Sequence, residues 1–286
     1  MNQGFFGESE NMIAAYKEAA IIFLPVPFDA TSSWGKGADK APDAIFNASV
    51  QLEYYDILTD SEVFRRGMHT LPYIHADRNV ESVTSDVRAA VARILTDNKF
   101  PLVIGGNHSV SIGAIQAVCD HYKKGLSVVQ LDAHADLRQE YEGSSLNHAC
   151  VMARAMDCTK DILQAGIRSM CREEKESIRP ERVFFAHEMH DNDCWIENLT
   201  DRLAENVYIT IDLDVLDPSV MPATGTPEPG GLQYHQIIRL LAAIAKKSNI
   251  VGFDVVELAP VAGLHAPDFL AAKLIYQTLS LAFQKR

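Results

Sequence analysis

The stretch VYITIDLDVLDP, from Val207 to Pro218, opens on β-branched and aromatic residues and closes on three aspartates. Its run Val207–Leu213 is apolar almost throughout rather than alternating, as expected of a strand buried on both faces of a parallel sheet. The same reading applies to Ala20–Val26, Met68–Tyr73, Leu102–Gly105, Leu126–Leu131, Ile162–Ile167, Val183–Ala186 and Ile250–Val256. Between these runs lie amphipathic helical patterns at Asn79–Thr96, Val110–Tyr122, His148–Met156, Cys194–Ala204, Leu232–Lys246 and Ala266–Phe283. The β-then-α alternation predicts an α/β fold, a doubly wound parallel sheet with helices on both faces. No repeat, low-complexity tract or Pro/Ser/Gly linker divides the 286 residues, which read as a single domain.

Composition narrows the function classes. At 47% hydrophobic and 22% charged residues, the chain has the make-up of an ordinary globular protein. It contains no apolar run long enough to span a membrane. The start, Met1 to Glu8, lacks the basic and then apolar pattern of a secretory signal, so a cytoplasmic location is expected. The five cysteines, Cys119, Cys150, Cys158, Cys171 and Cys194, are odd in number and form no C-x-x-C pair, which fits free thiols in a reducing compartment. A net charge of −12 argues against nucleic acid or an anionic membrane as partner and is compatible with a cationic substrate.

In open α/β sheets, ligands bind outside the carboxyl ends of the strands, and three such ends carry an unusual load. They read Ile104-Gly105-Gly106-Asn107-His108-Ser109, Leu131-Asp132-Ala133-His134-Ala135-Asp136 and Ile211-Asp212-Leu213-Asp214. In an extended chain, side chains two apart share a side, so Asp132, His134 and Asp136 are expected to converge, as are Asp212 and Asp214. Four carboxylates crowded without a counter-charge repel one another. Two divalent cations balance them, and a carboxylate-rich, thiolate-free set suits Mn²⁺, with Fe, Co, Ni and Zn still open. One aspartate after a buried strand is usually a cap or turn residue, and one buried histidine is usually just hydrogen-bonded. Three strand ends loaded together outweigh that plainer reading. His187-Glu188-Met189-His190, beside the acidic Asp191-Asn192-Asp193, reads as a surface turn; His69, His75, His121 and His235 read as structural.

These motifs, with G-T-P-E-P-G-G-L at Gly225–Leu232 and Val256-Glu257-Leu258-Ala259-Pro260, resemble the arginase/agmatinase (ureohydrolase) family along nearly the whole chain. The resemblance implies a three-layer α/β/α fold with a mostly parallel, roughly eight-stranded sheet. It also implies two Mn²⁺ ions, one held by His108 and Asp136, the other by His134 and Asp214, with Asp132 and Asp212 bridging. Glu257 matches the family glutamate that pairs with the substrate guanidinium. His148 matches a histidine proposed as a proton shuttle, although it is followed by Ala149 where the common form has glycine. Homo-oligomers, trimers or hexamers, are implied as well.

Arginases usually carry an asparagine two residues after D-x-H-x-D to help hold the α-carboxylate; this chain has Arg138. That favours agmatine, giving putrescine and urea, and leaves N1-aminopropylagmatine, guanidinobutyrate and arginine as alternatives. Arg138 reads equally as a solvated loop cation. A metal-dependent deacetylase, generally served by one Zn²⁺, and a non-catalytic family member are the rival readings. Phe28–Ile45, with Trp34 and Lys36, is expected to form a loop over a strand end.

Overall fold

A computed structural model describes residues 5–7, 13–74, 79–190 and 192–284. The N-terminal signal reading, His75 and Asp191 fall wholly or mainly outside them. Eight strands form one sheet: β1 (Ile21–Val26), β2 (Met68–Thr70), β3 (Phe100–Gly105), β4 (Leu126–Leu131), β5 (Ile162–Ile167), β6 (Val183–Phe185), β7 (Asn206–Asp212) and β8 (Asn249–Val256). Their order is β2-β1-β3-β8-β7-β4-β5-β6, and every pairing is parallel. The last two strands of the chain therefore insert between β3 and β4. Their insertion places four strand tips side by side, and these are the tips that carry the candidate residues.

Among the described residues, seven α-helices cover the sheet: α1 (Ala41–Ser49), α2 (Val80–Thr96), α3 (Ser111–Tyr122), α4 (Val151–Cys158), α5 (Cys194–Thr200), α6 (Tyr234–Lys247) and α7 (Ala266–Phe283). Helices α2, α3 and α4 pack on one face, where Val83, Val87 and Val91 meet Leu24, Val103 and Val128. Helices α1, α5, α6 and α7 pack on the other, where Ile45, Leu199, Leu241 and Leu279 meet Phe23, Leu102 and Ile209. Successive strand residues point to opposite faces, so a strand with two buried faces must be apolar along its length. This is the predicted three-layer α/β/α fold. Among the described residues no helix is long and apolar enough to cross a membrane.

Two expectations need correction. Phe28–Ile45 is a loop only through Gly37; a 3₁₀ turn at Ala38–Lys40 leads into α1, which starts with Pro42 in its first turn and buries Ala41, Ile45 and Phe46. A nine-residue helix gives too few turns for its period to stand out. His148–Met156 is not one helix: Asn147 caps a 3₁₀ turn at His148–Cys150, accepting the Ala149 N–H at 3.1 Å, and α4 follows.

The loop after β1 is clamped over the tip of β3. Gly106 donates its N–H to Val26 O at 2.8 Å, and Asn107 donates to Phe28 O at 2.8 Å. A Cβ on Gly106 would lie 1.9 Å from Phe28 O. Gly106→Ala is therefore expected to lower stability by about 2–3 kcal/mol, in the range of overpacked interiors, read as a fall in the urea midpoint.

Candidate metal centre and substrate cleft

Each candidate side chain leaves the sheet at one of four adjacent strand tips: His108 after β3, Glu257 after β8, Asp212 and Asp214 at β7, and Asp132, His134 and Asp136 after β4. His108 Nδ1 lies 2.9 Å from Asp136 Oδ2, 3.1 Å from Asp132 Oδ2 and 3.4 Å from Asp212 Oδ2. His134 Nδ1 lies 2.9 Å from Asp214 Oδ2 and 3.6 Å from Asp132 Oδ1. Two groups of possible metal ligands result, His108–Asp132–Asp136 and Asp132–His134–Asp214, with ligand atoms within 4.8 Å of one another and Asp132 common to both. All six residues named from the sequence come together.

The reason given for that convergence holds only in part. After Leu131 the backbone does not continue as an extended strand. His134 forms an isolated bridge to Ser169, and Asp136 adopts φ 53°. Asp212 caps a 3₁₀ turn at Leu213–Val215. Backbone amides then fix the carboxylates. Asp132 Oδ1 accepts His134 N–H at 2.6 Å, Asp212 Oδ1 accepts Asp214 N–H at 2.9 Å, and Asp214 Oδ1 accepts Ala133 N–H at 3.0 Å. For Asp212 and Asp214 this leaves Oδ2 facing the imidazoles.

Non-glycine residues at positive φ are uncommon, costing of order 1–3 kcal/mol, and they cluster at functional sites. Two of the six among the described residues, Asp136 (φ 53°) and Glu257 (φ 67°), stand in this site. Packing compensates. The Asp136 carbonyl accepts Met152 and Ala153 N–H at 2.9 and 3.1 Å, and Glu257 donates its N–H to Gly106 O at 2.8 Å.

A chain of polar side chains that sequence reasoning missed sets the tautomer of His108. Thr210 Oγ1 gives its one proton to Asp254 Oδ1 at 2.6 Å, so it accepts from His108 Nε2–H at 2.8 Å. Asp254, fully buried, also accepts from Ser111 and Tyr208. Nδ1, on the other side of the ring, is thereby turned on the carboxylate oxygens. His108 Nδ1 is a buried atom with no hydrogen-bond partner. An imidazole nitrogen facing three carboxylates calls for positive charge between them, a proton or a metal ion, and a set of carboxylates and imidazoles this close together fits divalent metal. Thr210→Val should loosen the ring and weaken metal binding roughly 10–100-fold, measured by competition with a chelator. An unchanged affinity would remove this role.

The electrostatics agree. Burial opposes charge on His134, but Asp214 and Asp132 outweigh it and push the ring up to about 12. Burial likewise opposes charge on His108, and Asp132 and Asp136 raise it well above its ordinary value. Burial, then the charge of Asp132, push the Asp136 carboxyl up to about 7. Burial, then Asp214 and Asp132, raise Asp212 strongly. The cluster draws positive charge to itself.

Beside it opens a cleft of about 350 Å³, lined among others by Trp34, Arg138, Tyr141, His148 and Glu257. Glu257 Oε1 accepts His108 N–H at 2.6 Å, while Oε2 faces Gly225, where an added Cβ would lie 3.7 Å away. Burial pushes this carboxyl up to about 8. His148 packs edge-on to Tyr141, 5.9 Å between centroids, and its Nδ1 has no hydrogen-bond partner; burial lowers its pKa. Arg138 lies over the Tyr141 ring at 4.6 Å. His187 and His190 are exposed on the surface, as expected, and Asp193 pairs with Arg239. Arg168, which no motif flagged, donates to Asp214 O at 2.5 Å and Glu228 O at 2.8 Å and ties two cleft loops together.

Carboxylates and imidazoles gathered at parallel strand tips beside a cleft are the arrangement of a metal-dependent hydrolase. The arginase family profile matches residues 19–280. An N(1)-aminopropylagmatine ureohydrolase of Synechocystis sp. is 38% identical over 284 residues, covering 96% of this chain and 92% of its own length. The agmatinase of Pyrococcus horikoshii is 31% identical over 271 residues, covering 93% of each. Among solved structures, agmatine ureohydrolase of Thermoplasma volcanium superposes with a TM-score of 0.87 at 36% identity, covering 96% of this chain and 94% of its own. The chain belongs to the arginase family, whose members depend on a binuclear metal centre, and it is a ureohydrolase.

Proposed function

We propose that this single-domain chain releases urea from a linear guanidino amine, with agmatine the leading substrate, and that the ions are two Mn²⁺. In this reading His108 and Asp136 would hold one ion and His134 and Asp214 the other, with Asp132 and Asp212 contributing to both. The observation that carries it is His108 Nδ1, turned by the Thr210 contact onto Asp132, Asp136 and Asp212 beside the second group of Asp132, His134 and Asp214. The carboxylate-rich, thiolate-free donor set favours Mn²⁺.

A bound metal pair supplies neutralising charge and the Lewis acidity that makes water a competent nucleophile near neutral pH. Glu257 holds the guanidinium through Oε2, balancing its charge and turning its carbon toward the cluster. Asp136 accepts a hydrogen bond from the attacking water and orients it. His148, its ring kept neutral by burial, is free to take up the proton that the attacking water loses and to pass it to the departing amine. Trp34 and Tyr141 flank the aliphatic tail of the substrate.

N1-aminopropylagmatine is the second reading. A relative 38% identical carries that activity in its name, and Trp34, 81% exposed at the cleft rim, offers an aromatic face to an additional ammonium. Exposed apolar side chains, Ile57, Leu58 and Phe269, support assembly as a homo-oligomer, a trimer or hexamer. The five free thiols support a cytoplasmic location. The test is urea release by the Mn²⁺-loaded protein from agmatine, N1-aminopropylagmatine, guanidinobutyrate and arginine. Urea from agmatine and none from arginine is expected; preference for guanidinobutyrate would make Arg138 a carboxylate anchor; no urea from any of them would overturn the reading.

A further inference from the structure

At the amino-terminal ends of the strands, away from the cleft, a second cavity of about 450 Å³ opens where β4 and β5 begin. It is lined by Cys119 and Cys158 and by five cations, Lys123, Lys124, Lys160, Arg179 and Arg182. In a chain of net charge −12 this is a concentration of the minority sign. Arg182 is paired with Asp161, and Arg179 and Lys160 donate to backbone carbonyls, which anchors these side chains around the cavity.

We propose that Cys119 and Cys158 form a reversible dithiol–disulfide site, oxidised by small anionic disulfides, that ties α3 to α4. The two thiols line this one cavity, near the C-terminal ends of α3 and α4, which pack against each other. Cys158, the last residue of α4, is exposed; Cys119, one turn from the end of α3, is 7% exposed. That difference divides the roles. Only Cys158 meets an incoming molecule, and Cys119 meets only Cys158. The neighbouring Cys119 thiol lowers the Cys158 pKa, while the Cys158 thiol and burial raise that of Cys119, which matches a nucleophile and a resolving thiol. None of the other cysteines pairs in this way: Cys150 is buried beside His148, Cys171 borders the catalytic cleft and Cys194 starts α5.

The exchange balances. The Cys158 thiolate attacks one sulfur of the small disulfide; that S–S bond breaks and the first small thiolate leaves with the electron pair. Cys119 loses its proton to solvent and attacks the Cys158 sulfur of the mixed disulfide, expelling the second small thiolate. Two protein thiols are oxidised, and one small disulfide is reduced to two thiols. The five cations give a carboxylate-bearing disulfide its landing site.

The consequence lies in what the bridge encloses. Helix α3 begins just after His108 and α4 just after His148, so the bridge joins the far ends of two helices that carry these residues at their near ends. The closed loop of about 40 residues also contains Asp132, His134 and Asp136. The oxidised protein should therefore resist thermal unfolding better than the reduced one.

The experiment treats the reduced full-length protein with oxidised glutathione. Expected are loss of two of the five thiols, a mass lower by two hydrogens with no retained glutathione, a peptide map joining Cys119 to Cys158, and a raised Tm that dithiothreitol reverses. Cys158→Ser should lose no thiols over the same interval, and Cys119→Ser should stop as a glutathione adduct on Cys158. The rate with oxidised glutathione should fall with added salt, whereas that with cystamine, a cationic disulfide, should rise. A bridge between other cysteines, a persistent adduct in the unaltered protein, or an unaltered Tm would overturn the site. A rate with oxidised glutathione indifferent to salt would overturn the role of the cations.

Discussion

Asp132→Asn is expected to lose metal and urea release together, activity falling by roughly 10³-fold or more. Asp132 is the one carboxylate common to both ligand groups, it is fully buried, and it faces both imidazoles. Asparagine keeps an oxygen for the His134 N–H, so the local backbone has little reason to move. Its amide group is a neutral and poor ligand where the carboxylate carried charge to both positions. The fold should survive, because the replacement removes one of four mutually repelling acids. Elemental analysis, circular dichroism and a urea assay on one preparation separate the cases. Normal turnover by a metal-depleted variant would contradict the binuclear reading; a collapsed far-UV spectrum would make the loss one of folding.

Glu257→Gln should do the opposite to metal and the same to turnover. The glutamine Oε1 can still accept the His108 N–H, held at 2.6 Å in the parent chain, so both ions should be retained. The second oxygen becomes a donor facing a guanidinium that offers only donors. Losing a charge-assisted pair and gaining a donor–donor contact should lower kcat/KM by roughly 10²-fold, about 2.7 kcal/mol. Full metal occupancy with unimpaired kcat/KM would remove Glu257 from substrate binding.

Much of this architecture was legible because burial on both faces writes an uninterrupted apolar run into each central strand. The edges were less clear. Strands β2 and β6 end three residues in, at Thr70 and Phe185, short of the expected Tyr73 and Ala186. As outermost strands they have one neighbour each, and the ladder can stop while the sequence remains apolar. Strand order was not legible either. Nothing local says that β7 and β8 enter between β3 and β4, although that insertion brings the tips together.

The site divides in the same way. Residues that touch the centre were readable because carboxylates and imidazoles at strand ends are conspicuous against apolar surroundings. Their convergence was right, while the extended geometry invoked for Asp132–Asp136 gave way to a turn with a left-handed Asp136. The residues behind them left no mark. Thr210 looks like any β-branched strand residue, and its link to His108 spans 102 positions. Asp254 is a lone acid in an apolar strand; only the fold explains it, by bringing Ser111, Tyr208 and Thr210 around it. Trp34 and Arg168 belong to loops whose paths are set by close glycine contacts and backbone carbonyls rather than by any periodic pattern.

The most direct measurement is metal content against turnover in one sample: strip the protein with a chelator, titrate Mn²⁺ back, and record bound ions per chain and urea released from agmatine at each step. The expected outcome is no urea from stripped protein and activity that reaches its plateau at two ions per chain. Urea released at the full rate by protein free of metal would contradict the account.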